Sequence, residues 1–229
     1  MFDGNLRTQV DKGVQPIGAA LVNMGVTADV MTIVGIGMSA AAAVVIGSGN
    51  LGWGLVLMIF TGLPDLLDGA IAKAAGTSST RGAYFDSVSD RLADIMLFSG
   101  VAWHLSVSRD GQIHMLPVAI MGIAIMISYQ RAKAESLGFD AKGGLMERAE
   151  RFIALGVGLA LGAFNENLLL VVLWMMLALT GITAIQRFFK VWKQASVGRP
   201  PAPPGPITRR RAREARRTTR EAGWRKSGR

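Results

Sequence analysis

Cysteine is absent from the 229 residues, so disulfides and thiolate metal sites are excluded, and the redox compartment stays open. Charged residues are also scarce, at 18% against about 25% in a typical soluble domain. Half of the residues are hydrophobic and the mean hydropathy is positive. This composition is typical of a single membrane domain with short polar appendages. The N-terminus has no basic segment leading directly into an apolar core and a cleavage site, so we expect no cleaved signal peptide.

Six apolar segments follow one another along the chain. Because lipid cannot satisfy exposed backbone groups, segments that cross a bilayer are expected to be helical. Most of the six approach the ~20 residues that a bilayer requires. We therefore predict an all-α, polytopic membrane protein with about six transmembrane helices, near residues 30–48, 51–73, 83–106, 115–136, 151–164 and 168–189.

The two ends of the chain differ from this membrane domain, which we place at residues 26–190. Residues 1–25 carry apolar side chains at mostly helical spacing, which predicts an interfacial amphipathic helix, with an ordinary surface helix as the alternative. Residues 195–229 form a basic Pro/Arg-rich tail, expected to be disordered and attracted to anionic membrane lipid. Nucleic-acid binding is compatible with the tail's composition but is not expected beside a membrane domain.

The basic residues lie on alternate connections between the apolar segments. The links at 48–51 and 164–168 contain no lysine or arginine, and the link at 107–115 contains only Arg109. Because cytoplasmic connections carry the excess of Lys and Arg, both termini are predicted to be cytoplasmic in a multi-pass protein of the cell membrane, a bacterial inner membrane. The cytoplasmic set comprises Arg7, Lys12, Lys73, Arg81, Arg131, Lys133, Lys142, Arg148, Arg151 and the tail.

Four aspartates stand out between residues 64 and 91, on the predicted cytoplasmic side. Asp65 and Asp68 are spaced i, i+3, while Asp86 and Asp90 are spaced i, i+4, so each pair shares one helix face. Carboxylates beside apolar segments are expensive and would repel one another unless cations held them together. Their oxygen ligands suit Mg²⁺, Mn²⁺ or Ca²⁺. The alternative is four aspartates in solvated loops. Asp94, one turn further on, is expected to support helix packing or the site.

The run D-x2-D-G-x2-A-K-x8-G-x3-D-x3-D resembles the signature of the CDP-alcohol phosphatidyltransferase family, with Lys73 where that family usually has arginine. The resemblance implies transfer of a phosphatidyl group from CDP-diacylglycerol to an alcohol, using two Mg²⁺ or Mn²⁺ ions per site. It implies metal binding by Asp65, Asp68, Asp86 and Asp90, with Asp90 also the catalytic base. It further implies a homodimer.

The same resemblance implies contacts with CDP-diacylglycerol from two parts of the chain. One is a short Asp-x-x-Thr formed by Asp29 and Thr32, although Thr27 or Asp29 could equally be a helix N-cap. The other is the link between the aspartate pairs, whose Gly and Ser/Thr residues and cations suit phosphate. The implied contact residues are Asp29, Thr32, Gly69, Lys73, Ser79 and Gly82.

A second cluster of basic residues indicates a phosphate-bearing acceptor. The motifs that contain it resemble those of the actinobacterial phosphatidylinositol phosphate synthases within the family, which implies inositol 1-phosphate as the acceptor. The implied acceptor-phosphate ligands are Arg131, Lys133, Arg148, Arg151 and Arg187. Glycerol 3-phosphate is the alternative acceptor, and a divalent-cation transporter is the alternative of another class.

Overall fold

The computed structural model describes residue 20, residues 27–74 and residues 80–197, without the side chains of 63–70 and 72–74. The predicted helix at 1–25 and most of the tail therefore lie outside the described residues. What is described contains six helices: α1 Ala28–Gly47, α2 Leu51–Ala74, α3 Thr80–Ser108, α4 Met115–Ser136, α5 Arg148–Gly162 and α6 Glu166–Ser196. The all-α prediction is confirmed. The largest difference in bounds is in α6, which continues to Ser196 instead of ending near 189.

Local sequence explains where several of these helices begin and end. The Thr27 hydroxyl accepts a hydrogen bond from the Val30 amide at 3.3 Å, so Thr27 caps α1. Asn165 caps α6 in the same way by accepting from the Asn167 amide at 3.0 Å. Gly49 and Gly138 follow α1 and α4 with φ of +93° and +81°. Glycine favours this left-handed conformation, which ends a helix.

The helices pack pairwise into a closed ring. α1 packs against α2 and α3, α2 against α5, α5 against α6, α6 against α4, and α4 against α3. Arg81 at the start of α3 pairs with Asp29 at the start of α1, and Arg148 at the start of α5 pairs with Asp90 of α3. We call this end of the bundle, where α1, α3 and α5 begin, the site end. The core inside the ring is apolar and includes Ile46, Met58, Val101, Leu105, Leu155, Leu159, Leu169, Leu173 and Met176.

Polar contacts join α3 and α6 at the opposite end. The Ser108 hydroxyl donates to the Glu166 carboxylate. The Arg109 guanidinium donates to Glu166 at 2.9 Å and to the Asn167 amide oxygen at 2.8 Å. His104 Nε2 also lies 3.0 Å from Glu166. The one arginine of this connection is therefore part of a structural cluster that fixes the end of α3 against the start of α6.

Three of the described helices are long and apolar enough to cross a membrane: Ala28–Gly47, Met115–Ser136 and Glu166–Ser196. In α2, whose side chains are not described at 63–70 and 72–74, the described apolar part is Leu51–Gly62. α3 carries several charged residues, and α5 has only 15 residues. Many large apolar side chains face outward, among them Trp53, Ile59, Trp103 and Trp174. An all-helical membrane protein is therefore supported, whereas six spans exceed what helix length and composition show for the described residues.

Gly100 allows the backbones of α1 and α3 to approach closely, and it provides a test of this packing. A Cβ at Gly100 would lie 2.5 Å from the Ala43 carbonyl oxygen and 2.8 Å from its Cα. Gly100→Ala should therefore lower the free energy of unfolding by about 1–3 kcal/mol. Thermal unfolding in detergent measures this effect.

Gly37→Ala is the matched control, because a Cβ at Gly37 in α1 would meet nothing within 4 Å. It should leave stability unchanged or raise it by up to ~1 kcal/mol through helix propensity. Equal melting temperatures for the two variants would contradict the close approach of α1 and α3.

Candidate functional site

A cavity of about 390 Å³ opens between α1, α2, α3 and α5. Asp86 and Asp90 line it from α3, Thr32 from α1 and Arg148 from the first residue of α5. Because these residues lie near the starts of their helices, the polar part of the wall is at the site end. The remaining wall is largely apolar and includes Ile36, Leu97, Phe152 and Ile153. The cavity thus combines carboxylates, an arginine and apolar surface.

Asp90 is held in this wall by cations. Arg148 Nη1 lies 2.9 Å from Asp90 Oδ1, and Arg91 Nη1 lies 3.7 Å from Asp90 Oδ2. The Asp90 side chain is 17% exposed, so these pairs are only partly screened by water. The two cations hold the carboxylate in one orientation. Asp90 is therefore an oriented anion facing the cavity.

Asp94 repeats this arrangement one turn further along α3. Its Oδ2 lies 3.3 Å from Arg151 Nη2, and its Oδ1 lies 3.7 Å from Arg148 Nε. Arg151 is 3% exposed and also donates to the Met146 carbonyl at 3.1 Å. Asp94 lines the same cavity as Asp90. Asp94 therefore supports the site, which is one of the two roles expected for it. Its i, i+4 spacing from Asp90 puts both carboxylates on the same face of α3.

Arg187 of α6 is the second fully enclosed arginine, with 3% exposure. Its Nη1 donates to the Ile127 carbonyl at 3.0 Å. Its Nη2 donates to the Gly143 carbonyl at 3.0 Å and to Glu147 Oε1 at 3.1 Å. The Nε atoms of Arg151 and Arg187 are buried without a hydrogen-bond partner among the described residues. Unpaired buried donors are costly, so both guanidinium groups retain capacity for an anionic ligand.

The predicted acceptor ligands form two groups in the structure. Arg148 lines the cavity, and Arg151 is joined to it through Asp94. Arg131, by contrast, makes an exposed i, i+4 pair with Glu135 at 3.0 Å, and Lys133 is exposed without a side-chain hydrogen bond or ion pair in the described part of the chain. Arg187 joins the first group through its ion pair with Glu147, the residue before Arg148.

The predicted CDP-diacylglycerol ligands are described only in part. Thr32 lines the cavity and donates its hydroxyl to the Ala28 carbonyl at 3.1 Å. Asp29, one turn earlier, accepts from Arg81 Nη2 at 2.7 Å, which ties the start of α1 to the start of α3. Gly82 lies in the first turn of α3. Gly69 lies in α2, whereas the side chains of Asp65, Asp68 and Lys73 and the residue Ser79 lie outside what the structure describes.

Only two of the four predicted metal ligands have side chains that the structure describes. Among the described side chains, no group of three or more carboxylate or histidine residues could hold a metal ion. Asp86 and Asp90 are the described members of the predicted set, and both face the cavity from successive turns of α3. Two carboxylates on one face, with only oxygen donors, fit a hard divalent cation completed by further carboxylates or water.

The model of the CDP-alcohol phosphatidyltransferase family matches residues 25–186, which include the whole cavity wall. The chain belongs to this family. It is therefore a CDP-diacylglycerol-dependent phosphatidyltransferase of phospholipid biosynthesis. CDP-alcohol phosphatidyltransferases depend on divalent cations, in keeping with the oxygen-donor character of the carboxylates on α3.

Curated relatives in several actinobacteria carry the name phosphatidylinositol phosphate synthase. The protein of Mycobacterium tuberculosis H37Rv is 33% identical over 183 residues, covering 77% of this chain and 84% of the relative. The protein of Corynebacterium glutamicum is 32% identical over 184 residues, covering 79% and 84%. The protein of Streptomyces avermitilis is 30% identical over 191 residues, covering 79% and 78%.

Solved structures of the Mycobacterium tuberculosis phosphatidylinositol phosphate synthase share the fold. The crystal structure with CDP-DAG bound superposes with a TM-score of 0.74 at 33% identity, covering 78% of this chain and 93% of that one. The crystal structure in complex with manganese and citrate also gives a TM-score of 0.74, at 32% identity, covering 78% and 88%. The ring of helices is thus the fold of a known phosphatidyltransferase.

The Asp94–Arg151 pair gives a stability prediction for the site. Asp94→Asn leaves the buried Arg151 without its carboxylate, and breaking a buried pair typically costs about 3–5 kcal/mol. Glu135→Gln is the control because it breaks an exposed pair worth at most ~1 kcal/mol. Thermal unfolding in detergent should show a large loss for Asp94→Asn alone. Equal losses would mean that the buried pair does not hold α5 against α3.

Proposed function

We propose that this enzyme transfers the phosphatidyl group of CDP-diacylglycerol to a hydroxyl of inositol 1-phosphate, giving phosphatidylinositol phosphate and CMP. The observation that carries the proposal is the cavity wall on which Asp86 and Asp90 stand beside Arg148. One carboxylate pair on that wall suits a divalent cation and a base. The arginines behind it suit the phosphate of a charged acceptor. The names of the actinobacterial relatives support inositol phosphate as that acceptor.

Asp90 acts as the general base in this proposal. It accepts the proton of the acceptor hydroxyl while the hydroxyl oxygen forms a bond to the phosphatidyl phosphorus, and the bond from that phosphorus to the CMP oxygen breaks. Arg148 and Arg91 hold the carboxylate in one orientation, so the base is aligned before the substrate arrives. Thr32 lies on the same wall. Contacts with CDP-diacylglycerol are proposed for Thr32 and for Asp29, Gly69, Lys73, Ser79 and Gly82.

Asp65, Asp68, Asp86 and Asp90 would hold two Mg²⁺ or Mn²⁺ ions. When bound, these ions neutralise the charge that develops on the pyrophosphate and on the leaving CMP. Manganese is present in a solved structure of a relative, which supports a divalent ion of this kind. Among the described side chains, Asp86 and Asp90 face the cavity from adjoining turns of α3, where a cation would screen their mutual repulsion.

The acceptor phosphate would bind to Arg148, Arg151 and Arg187, with Arg131 and Lys133 at the outer edge. Ion pairs with Asp90, Asp94 and Glu147 hold the charges of the first three in place before binding. Arg131 and Lys133 are exposed at the end of α4 and would add a screened attraction. A planar guanidinium can bind phosphate through two parallel hydrogen bonds, which gives orientation as well as affinity.

The proposed setting is a bacterial cell membrane, with six spans, both termini and the site end on the cytoplasmic side. The distribution of Lys and Arg supports this orientation. It places the site where soluble nucleotides and inositol 1-phosphate are found, while the acyl chains stay in the bilayer. We further propose the interfacial helix at 1–25, the membrane domain at 26–190, a tail at 195–229 that contacts anionic lipid, and a homodimer.

The choice of acceptor is tested by CMP release. Purified protein with CDP-diacylglycerol and Mg²⁺ should release CMP with inositol 1-phosphate and far less with glycerol 3-phosphate or unphosphorylated inositol, because the arginines bind the phosphate and its polyol together. Faster release with glycerol 3-phosphate would identify a phosphatidylglycerol phosphate synthase instead. Cation flux into liposomes without CMP release would favour the transporter.

Asp90→Asn tests the base. Asparagine keeps a similar shape and can still accept from Arg148, but it cannot take the proton, so kcat should fall by about 10²–10⁴-fold. CDP-diacylglycerol binding should be retained within a few-fold. Asp110→Asn, at an exposed position of the opposite connection, is the control and should keep full turnover. Near-normal turnover of Asp90→Asn would remove Asp90 as the base.

A further inference from the structure

The connection between α4 and α5, residues 137–147, is fastened along one face of the C-terminal part of α6. We propose that Lys190 and Gln194 are positioning residues that set the acceptor side of the site through this connection, which we call the α4–α5 loop. The proposal rests on the proposed function, because it concerns the binding of the acceptor phosphate.

Both residues act on Asp140. Lys190 Nζ donates to Asp140 Oδ2 at 2.9 Å and to the Lys142 carbonyl at 2.6 Å. The Gln194 side-chain amide pairs with the Asp140 backbone, accepting from its amide at 3.0 Å and donating to its carbonyl at 2.6 Å. The hydrogen bond from Lys190 lowers the pKa of Asp140, so this carboxylate remains ionised at neutral pH. Two side chains of α6 thus hold one loop residue through three hydrogen bonds.

The fastening continues toward α5. Thr183 accepts a hydrogen bond from the Met146 amide at 3.0 Å, and Arg187 donates to the Gly143 carbonyl at 3.0 Å. Together with Lys190 and Gln194, these residues are spaced i, i+4, i+7 and i+11, so they form one stripe along α6. The stripe meets the loop at successive points from Asp140 to Met146. The loop therefore follows this stripe of α6 from Asp140 to Met146.

The loop has little internal structure that could fix its path without α6. Gly138, Gly143 and Gly144 have φ of +81°, +94° and +150°, which are conformations that side chains rarely adopt. Within the loop, the Lys142 amide donates to Asp140 Oδ1 at 3.1 Å, and the Gly143 amide donates to Glu147 at 3.1 Å. Both of these bonds end on residues that are themselves held by α6. Removing the tie to α6 would release them as well.

The residue that follows the loop belongs to the site. Glu147 ends the loop and pairs with Arg187, and the next residue, Arg148, pairs with Asp90 at 2.9 Å. Arg151, one turn later, pairs with Asp94. The position of the loop therefore determines where two proposed phosphate ligands stand relative to the base. A displacement of about 1 Å in such groups can cost up to two orders of magnitude in rate.

Kinetics of four α6 variants test the role. Lys190→Ala and Gln194→Ala should each raise the KM for inositol 1-phosphate by on the order of tenfold, with the KM for CDP-diacylglycerol unchanged. Lys193→Ala is the matched control, because Lys193 is an exposed neighbour of the same charge without a side-chain partner among the described residues. It controls for the loss of one positive charge. Lys190→Arg keeps donors in place and should restore the lower KM.

Hydrogen exchange supplies a readout independent of turnover. The amides of Asp140, Lys142, Gly143 and Met146 should exchange faster in Lys190→Ala and Gln194→Ala than in Lys193→Ala. Faster exchange together with a raised acceptor KM supports the positioning role. An acceptor KM equal to that of Lys193→Ala overturns it, whatever the exchange rates. Absence of CMP release from the wild-type protein would instead overturn the proposed function, and the positioning role with it.

Discussion

Charge neutralisation in a low-dielectric bundle is the constraint on which this structure depends. Asp90 and Asp94 on α3 face Arg148 and Arg151 on α5, and none of the four could be enclosed alone without a large desolvation penalty. Each carboxylate is oriented by the guanidinium that compensates it. The same contacts fix the relative placement of α3 and α5, although other helices supply most of the packing around them. Folding and site assembly therefore rest on one set of ion pairs.

This constraint also explains why helix composition alone gives fewer spans than the ring contains helices. The residues that form the site replace apolar positions on α3, so α3 does not match the composition of an isolated span. In the ring, α3 turns Asp86, Asp90 and Asp94 toward the cavity, while large apolar side chains of its neighbours α1 and α4 face outward. Low hydropathy in α3 is then a mark of the site rather than of a soluble helix.

Sequence periodicity was sufficient for the helices and for the shared face of Asp86 and Asp90, because both follow from local spacing. It was insufficient for the surroundings of Arg187. Two of the three groups that this guanidinium contacts are backbone carbonyls, at Ile127 and Gly143. Every residue has a backbone carbonyl, so the sequence does not indicate which of them will face an arginine. The tie between Lys190 and Asp140 was missed for a related reason. A basic residue near the end of a membrane helix is expected to anchor in headgroups, and only the loop path shows its protein partner.

The enclosed arginines have structural partners and proposed ligands at the same time, and these two roles are coupled. The Nη1 and Nη2 atoms of Arg187 donate to two backbone carbonyls and to Glu147, while its Nε has no hydrogen-bond partner in the described part of the chain. A phosphate that binds this guanidinium must either use the remaining donor or compete with Glu147. In both cases the free energy of acceptor binding includes the free energy of placing the α4–α5 loop. The two free energies are coupled, and such coupling acts equally in both directions. A contact that stabilises the loop on α6 in the conformation that binds the acceptor therefore also strengthens acceptor binding.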